Sequence, residues 1–207
     1  MASTLLQQLR PLEFAYPGST DWKTIKQDPG LEPDSRFAAV LVPIIDRRQP
    51  AILLTKRSSR LAYQPGHISF PGGRPQENDP DVASTALREA SEEICLRAED
   101  VQVLGCLALH ETRTSKNVIV PVIGVVHPSA RWSLCSDEVD DVFEFAFDVL
   151  LNPNLPKQYE AGERVGSWYW SGQTQDIWGV TARILMSLAA TLRDRGMKLH
   201  FDLGLVG

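Results

Sequence analysis

Two adjacent glycines run into a helical pattern crowded with carboxylates, and few folds have a use for that combination. The loop reads Gly72-Gly73-Arg74-Pro75-Gln76-Glu77-Asn78-Asp79, and the helical stretch closes on Arg88-Glu89-Ala90-Ser91-Glu92-Glu93-Ile94-Cys95-Leu96. From Asp81 to Leu96 the residues Ala83, Ala86, Leu87, Ala90 and Ile94 fall on one side at about 100° per residue, so that side is made for a core. Glu89, Glu92 and Glu93 cover roughly 100° of arc directly beside the apolar one, not opposite it. Their carboxylates therefore converge at the edge of the buried face. Glu89 and Glu93 stand one turn apart and repel by a few tenths of a kcal/mol in an isolated helix, which asks for a cation between them. A hard divalent ion such as Mg2+ or Mn2+ takes oxygen ligands of this kind. The plainer reading is a solvated face, with Arg88 and Arg97 at helical spacing from Glu92 and Glu93. Such a face has no need of bare backbone, and Gly72-Gly73 supplies bare backbone that can come close to a ligand or ion.

The rest of the chain alternates strands and helices irregularly. Phe37–Ile45 and Ala51–Thr55 are apolar, β-branched runs joined by a polar turn, and Val101–Leu109, Val118–Val126 and Val142–Phe147 are strand-like as well. Pro121 places the second of these later strands at an edge or bulge. Lys157–Trp170 reads as a hairpin turning at Ala161-Gly162-Glu163, and Trp178–Arg195 as a long helix through Ala182, Leu185, Leu188 and Leu192. Ser3–Leu9 suits a short helix, and Pro11–Pro33, rich in Pro, Gly and Asp, an irregular arm. The expectation is an N-terminal arm over 1–35 and one mixed α/β domain over 36–207, with helices packed on a central mixed sheet instead of a doubly wound fold.

Composition narrows the class. At 207 residues, 43% apolar and 23% charged, the chain matches one soluble globular domain. Its net charge of −5 speaks against a global grip on nucleic acid or an anionic membrane. Cys95, Cys106 and Cys135 are odd in number and lack C-x-x-C spacing, so neither a disulfide framework nor a structural zinc site is expected. That fits a reducing cytoplasm. The amino end has no basic region followed by a long apolar run, and no run approaches a membrane span, so the protein reads as cytoplasmic.

At the glycine loop and acidic helix the sequence resembles the Nudix hydrolases, whose signature is Gly, five residues, Glu, seven residues, then Arg-Glu-apolar-x-Glu-Glu-x-Gly-apolar. Here Gly73 is followed after five residues by Asp79, and after eight more by Arg88-Glu89-Ala90-x-Glu92-Glu93-x-Cys95-Leu96. Asp for Glu and the extra residue also occur in the coenzyme A pyrophosphatase branch. Cys95 replaces a Gly that suits the turn leaving the helix, at a modest conformational cost. A second stretch is similar to that branch's extra motif: Leu53-Leu54-Thr55-Lys56-Arg57-Ser58, then Gly66, then Phe70-Pro71-Gly72-Gly73, with the spacing intact. The motif's second Arg falls on Ala62, and Arg60 is the nearest substitute.

The resemblance implies a Nudix-like α/β/α sandwich and metal-dependent hydrolysis of the diphosphate bond of coenzyme A or acyl-coenzyme A, giving 3′,5′-ADP and a phosphopantetheine product. It implies Mg2+ or Mn2+ on Glu89 and Glu93, with Glu92 direct or through water, and Arg88 orienting the cluster. Lys56, Arg57 and Arg60 would grip phosphates while Gly66, Phe70, Pro71, Gly72 and Gly73 shape the wall. Ala62 leaves open another nucleoside diphosphate derivative, such as NADH or ADP-ribose, and an idle ligand-binding protein on the same fold is a further alternative. A catalytic base is expected from the acidic run Asp137-Glu138-Val139-Asp140-Asp141, with Glu138 first and Asp137 or Glu144 as substitutes. Homodimers are common among such enzymes, and the arm could serve a partner chain. His67, His110, His127 and His200 are scattered and read as structural or exposed.

Overall fold

Alternation along two strands sorts the apolar residues into two cores, one on each face of a single sheet. The computed structural model describes residues 14–32, 34–112, 116–171 and 176–194, together with Leu5 and Leu9. The strands are β1 (Arg36–Ile45), β2 (Ala51–Arg57), β3 (Ile68–Ser69), β4 (Gly72–Gly73), β5 (Val101–Cys106), β6 (His110–Glu111), β7 (Asn117–Val126), β8 (Val139–Ala146), β9 (Lys157–Gln158), β10 (Trp168–Trp170) and β11 (Ile177–Trp178). The helices are α1 (Trp22–Lys26), α2 (Val82–Ile94), α3 (Phe147–Leu151) and α4 (Gly179–Asp194).

The main sheet runs β3-β2-β1-β7-β5, with β4 on β1, β6 on β7 and β8 on β2. β1 and β7 are parallel from Arg36 opposite Asn117 to Ile45 opposite Val126, and the other pairings in this sheet are antiparallel. Neighbouring residues on a strand face opposite ways. Val42 and Ile44 of β1 and Ile52 and Leu54 of β2 accordingly pack with Leu185, Leu188 and Leu192 of α4. Leu41, Ile45, Ala51 and Leu53 pack with Ala86, Ala90 and Ile94 of α2. The result is the expected α/β/α sandwich around a mixed sheet. A small second sheet, β11-β10-β9, contains the expected hairpin and leads into α4.

The structure departs from the sequence reading at several points. Pro121 lies in β7, an interior strand, where an edge or a bulge was expected. It is tolerated because the neighbouring edge breaks there: β5 ends at Cys106, β6 starts at His110, and the Pro121 carbonyl takes the Leu107 N–H across the gap. The arm is not wholly irregular. Asp21 caps α1 through the Thr24 N–H at 2.8 Å, and Trp22 and Ile25 are buried against α2. Burying an Ile completely, as at Ile25 (0% exposed), stabilises a fold by roughly 1.5–3 kcal/mol. Trp178 is the last residue of β11 and not the start of the helix, and β8 begins at Val139, earlier than expected. The helix expected over 3–9 lies mostly outside the described residues; Leu5 and Leu9 are buried in the α4-side core.

The cysteine reading is corrected. Cys95 and Cys135 form a disulfide with Cα atoms 5.7 Å apart, and Cys106 is free and buried. Their separation of 40 residues carries no local signal of proximity. The loop before β8 folds back along the end of α2, where Ser133 N–H reaches the Ile94 carbonyl at 3.0 Å and Cys135 N–H the Glu93 carbonyl at 3.1 Å. Among the described residues no helix is long and apolar enough to cross a membrane.

Candidate functional site

The glycine loop, α2 and the ends of β2 and β8 meet at one end of the main sheet. α2 starts at Asp81, whose side chain accepts the Ser84 N–H at 2.7 Å and satisfies one of the helix's free donors. It stops at Cys95, which takes the left-handed conformation (φ 51°) that a glycine adopts more cheaply.

Gly72 and Gly73 serve close approach. A Cβ at Gly72 would stand 2.4 Å from the Ala39 carbonyl oxygen, and one at Gly73 would stand 2.5 Å from the Glu89 carboxyl carbon. Bare backbone thus lets the loop lie on β1 and against α2 at once, and the Gly72 N–H reaches Glu93 Oε2 at 3.2 Å. Arg88 ties loop to helix with Nε on Asp79 Oδ1 at 3.1 Å, Nη2 on the Arg74 carbonyl at 2.9 Å, and Nη1 on Glu89 and Glu92 at 2.9 and 3.1 Å. The signature's Asp79 therefore anchors Arg88, and it also accepts the Gln76 N–H and the Thr85 hydroxyl, each at 2.9 Å. Thr85 in turn accepts Trp22 Nε1–H at 3.0 Å, which couples α1 to this network.

The carboxylates are graded by burial. Glu92 is exposed and paired with Arg88, Glu89 is half-buried, and Glu93 is only 6% exposed. Burial pushes the Glu93 carboxyl up to about 8, opposed by the Gly72 N–H and Arg57 and reinforced by Glu89 and Glu138. Glu89 is raised too, first by burial, with Arg88 opposing and Glu92 and Glu138 adding. Among the described residues no three His, Cys, Asp or Glu side chains stand as a ready metal cluster. What stands there is an all-oxygen donor set in which neighbouring carboxylates raise the proton affinity of Glu89 and Glu93, and such a set suits a hard cation.

The anticipated phosphate cations are split. Arg57 acts on Glu93, its Nε is buried without a hydrogen-bond partner, and its backbone pairs with the Gly66–His67 turn. Lys56 pairs with Ile68, which is buried on the α4 side, so strand alternation sends Lys56 to the face opposite Arg57. Arg60 turns to Asp137 at 3.2 Å. Gly66 (φ 71°) makes the turn behind Arg57, while Phe70 and Pro71 are buried and back the loop instead of facing its open side. Glu138 is exposed at the start of β8, where its carbonyl takes the Ser58 N–H at 2.7 Å, and its charge is felt by both Glu89 and Glu93. Glu144 is engaged with Arg47 farther along β8. Beyond Arg57 stand His67, read from the sequence as structural or exposed, Trp178, read as a helix start, and Arg164, which the sequence did not mark: His67 lies 4.7 Å from Trp178 edge to face, and Arg164 covers the Trp178 ring at 3.6 Å. They come from segments more than a hundred residues apart in part, so no spacing could reveal them.

Comparison with known proteins agrees with this geometry. The family model described as the NUDIX domain matches residues 35–169. A protein of Pectobacterium atrosepticum described as the uncharacterized Nudix hydrolase NudL is 39% identical over 193 residues, covering 89% of this chain and 98% of its own. The protein of the same description from Escherichia coli is 37% identical over 157 residues, covering 74% and 81%. Among solved structures, a MutT/nudix family protein from Enterococcus faecalis superimposes with a TM-score of 0.53 at 14% identity over 84% of this chain and 67% of that one, a likeness of fold alone.

Proposed function

The chain belongs to the Nudix hydrolase family, and we propose that it hydrolyses the diphosphate bond of coenzyme A or an acyl-coenzyme A, releasing 3′,5′-ADP and the (acyl-)phosphopantetheine. The observation that carries the reading is the buried Glu93, facing Glu89, Glu138 and Arg57 across bare glycine backbone. Glu89 and Glu93, with Glu92 directly or through water, would hold Mg2+ or Mn2+. Such an ion, when bound, neutralises charge on the diphosphate and lowers the pKa of a water. Arg57 directs its unpartnered Nε–H at a diphosphate oxygen. Arg88, whose donors are spent on Asp79, Arg74, Glu89 and Glu92, fixes where the carboxylates stand. Glu138 accepts the proton of the attacking water as its oxygen bonds to phosphorus and the bridging P–O bond breaks. The intact Leu53–Gly73 register favours coenzyme A as substrate.

Ala62, where that branch has its second Arg, and Arg60, already paired with Asp137, favour a second reading: another nucleoside diphosphate derivative. Purified protein assayed with Mg2+ or Mn2+ against coenzyme A, NADH and ADP-ribose decides between them. Release of 3′,5′-ADP from coenzyme A at the highest kcat/KM is expected. Turnover of NADH or ADP-ribose alone would replace the substrate, and no metal-dependent turnover on any of the three would leave a ligand-binding protein.

A further inference from the structure

We propose that the cavity between α1, the start of β1 and the glycine loop is a phosphomonoester subsite that receives the second phosphate on the nucleotide end of the substrate. The inference rests on the reading above for the identity of that nucleotide. The cavity measures about 570 Å3, and Lys26, Arg36 and Arg74 line it together with Phe37. Each cation comes from a different segment, and among the described residues Glu32 is the only carboxylate in the lining. Among the described residues none of the three cations forms an ion pair. On a chain with net charge −5, gathering three like charges around one cavity costs repulsion that a bound dianion removes.

The cavity adjoins the carboxylates through the backbone. Arg74 follows Gly73, the residue whose missing Cβ leaves room for Glu89, and its carbonyl is held by Arg88. Phe37 lies two positions before Ala39, the partner of Gly73 across β1 and β4. α1 is fixed here by burial of Trp22 and Ile25 and by the bond from Trp22 to Thr85 of α2, so Lys26 is presented by an anchored helix and lies 5.9 Å from the Phe37 ring centre. A nucleotide carrying a phosphomonoester on its ribose needs a cation beyond those that face its diphosphate. The β2 end offers none to spare: Arg57 faces Glu93, Arg60 is paired with Asp137, Lys56 points to the other face, and position 62 is Ala. Lys26 of the arm and Arg36 at the head of β1, both outside the motifs, supply with Arg74 what the β2 end lacks.

The test is calorimetric titration of metal-free protein with adenosine 3′,5′-bisphosphate and with 5′-AMP, which needs no turnover. Wild-type protein should favour the bisphosphate by roughly tenfold, the scale of one charge-assisted hydrogen bond to an anion. The double variant Lys26→Ala/Arg36→Ala should lose that preference while keeping its affinity for 5′-AMP, and Lys26→Arg should retain it. A thermal midpoint matching wild type shows the variants are folded. A wild-type protein that does not favour the bisphosphate, or a preference that survives in the double variant, overturns the inference whatever the enzyme cleaves. Failure to cleave coenzyme A strikes the proposed substrate instead, and the turnover assay reads that separately.

Discussion

Replacing Glu93 by Gln should stabilise the metal-free protein while destroying its activity, and the stabilisation should grow with pH. Glu93 is 6% exposed, and its carboxyl is raised from 4.5 to about 8, first by burial and then by Glu89 and Glu138. Between those values the folded protein holds a proton that the unfolded chain has released, so stability falls as pH rises from about 4.5 to about 8. Each pH unit of that window is worth about 1.4 kcal/mol, for a ceiling of roughly 4–5 kcal/mol; water entering the site lowers it to roughly 2–4. Gln keeps the shape, can still accept the Gly72 N–H and carries no proton to lose. In chelator, Glu93→Gln and wild type should melt together near pH 4.5 and separate by roughly 5–15 °C at pH 8.5, taking 2–4 °C per kcal/mol for a chain of this size. Adding Mn2+ at pH 8.5 should raise the wild-type midpoint and leave the variant where it is. Parallel melting curves from pH 4.5 to 8.5 would show that Glu93 is ordinary in the folded protein and would remove the electrostatic basis for placing a cation there.

How much of this was legible depended on whether a residue's role is decided locally. The acidic helix was, because its apolar side (Ala83, Ala86, Ala90 and Ile94) lies within one segment, and the structure buries that side. Leu87 is only partly buried, as expected of a residue at the margin of a helical stripe. The β1–β2 and β9–β10 pairings were readable for the same reason. The parallel pairing of β1 with β7 was not, since it joins segments about eighty residues apart that pair only once α2 and β5 have crossed between them. At the β2 end, sequence alone made Lys56, Arg57 and Arg60 one cluster, whereas alternation separates Lys56 from Arg57 and Asp137 draws Arg60 away. The motif register placed Phe70 beside the glycine loop, but register alone could not tell that its ring packs into the α4-side core, behind the loop. Cys95 shows both sides of the matter, because its left-handed turn was foreseeable from the position a glycine holds in the motif and its bond to Cys135 was not.

Three further outcomes can be checked. Gly73→Ala should unfold at nearly the wild-type temperature, because Gly73 has no positive φ and the atoms a Cβ meets are the movable end of Glu89, yet kcat should fall at least about tenfold as that carboxylate is displaced; wild-type kcat would mean that Glu89 has no fixed place in the reaction. Glu138→Gln should lower kcat by roughly 10²–10⁴ with KM little changed if Glu138 takes the proton of the water, and an unchanged kcat at saturating metal would exclude it as the base. The disulfide should support both fold and site. It closes a loop of about forty residues, which removes roughly 4 kcal/mol of conformational freedom from the unfolded chain. It also ties the end of α2 to the segment just before Glu138, through which Cys135 N–H meets the Glu93 carbonyl. Cys135→Ser, or treatment with a dithiol reductant, should therefore lower the thermal midpoint by roughly 8–15 °C and reduce kcat, while the same reductant should leave the kcat of Cys135→Ser unchanged. Alkylation of native protein without reductant should spare Cys95 and Cys135; labelling of both under those conditions would show that the thiols are free and that the backbone bonds to Glu93 and Ile94 hold the loop without a cross-link.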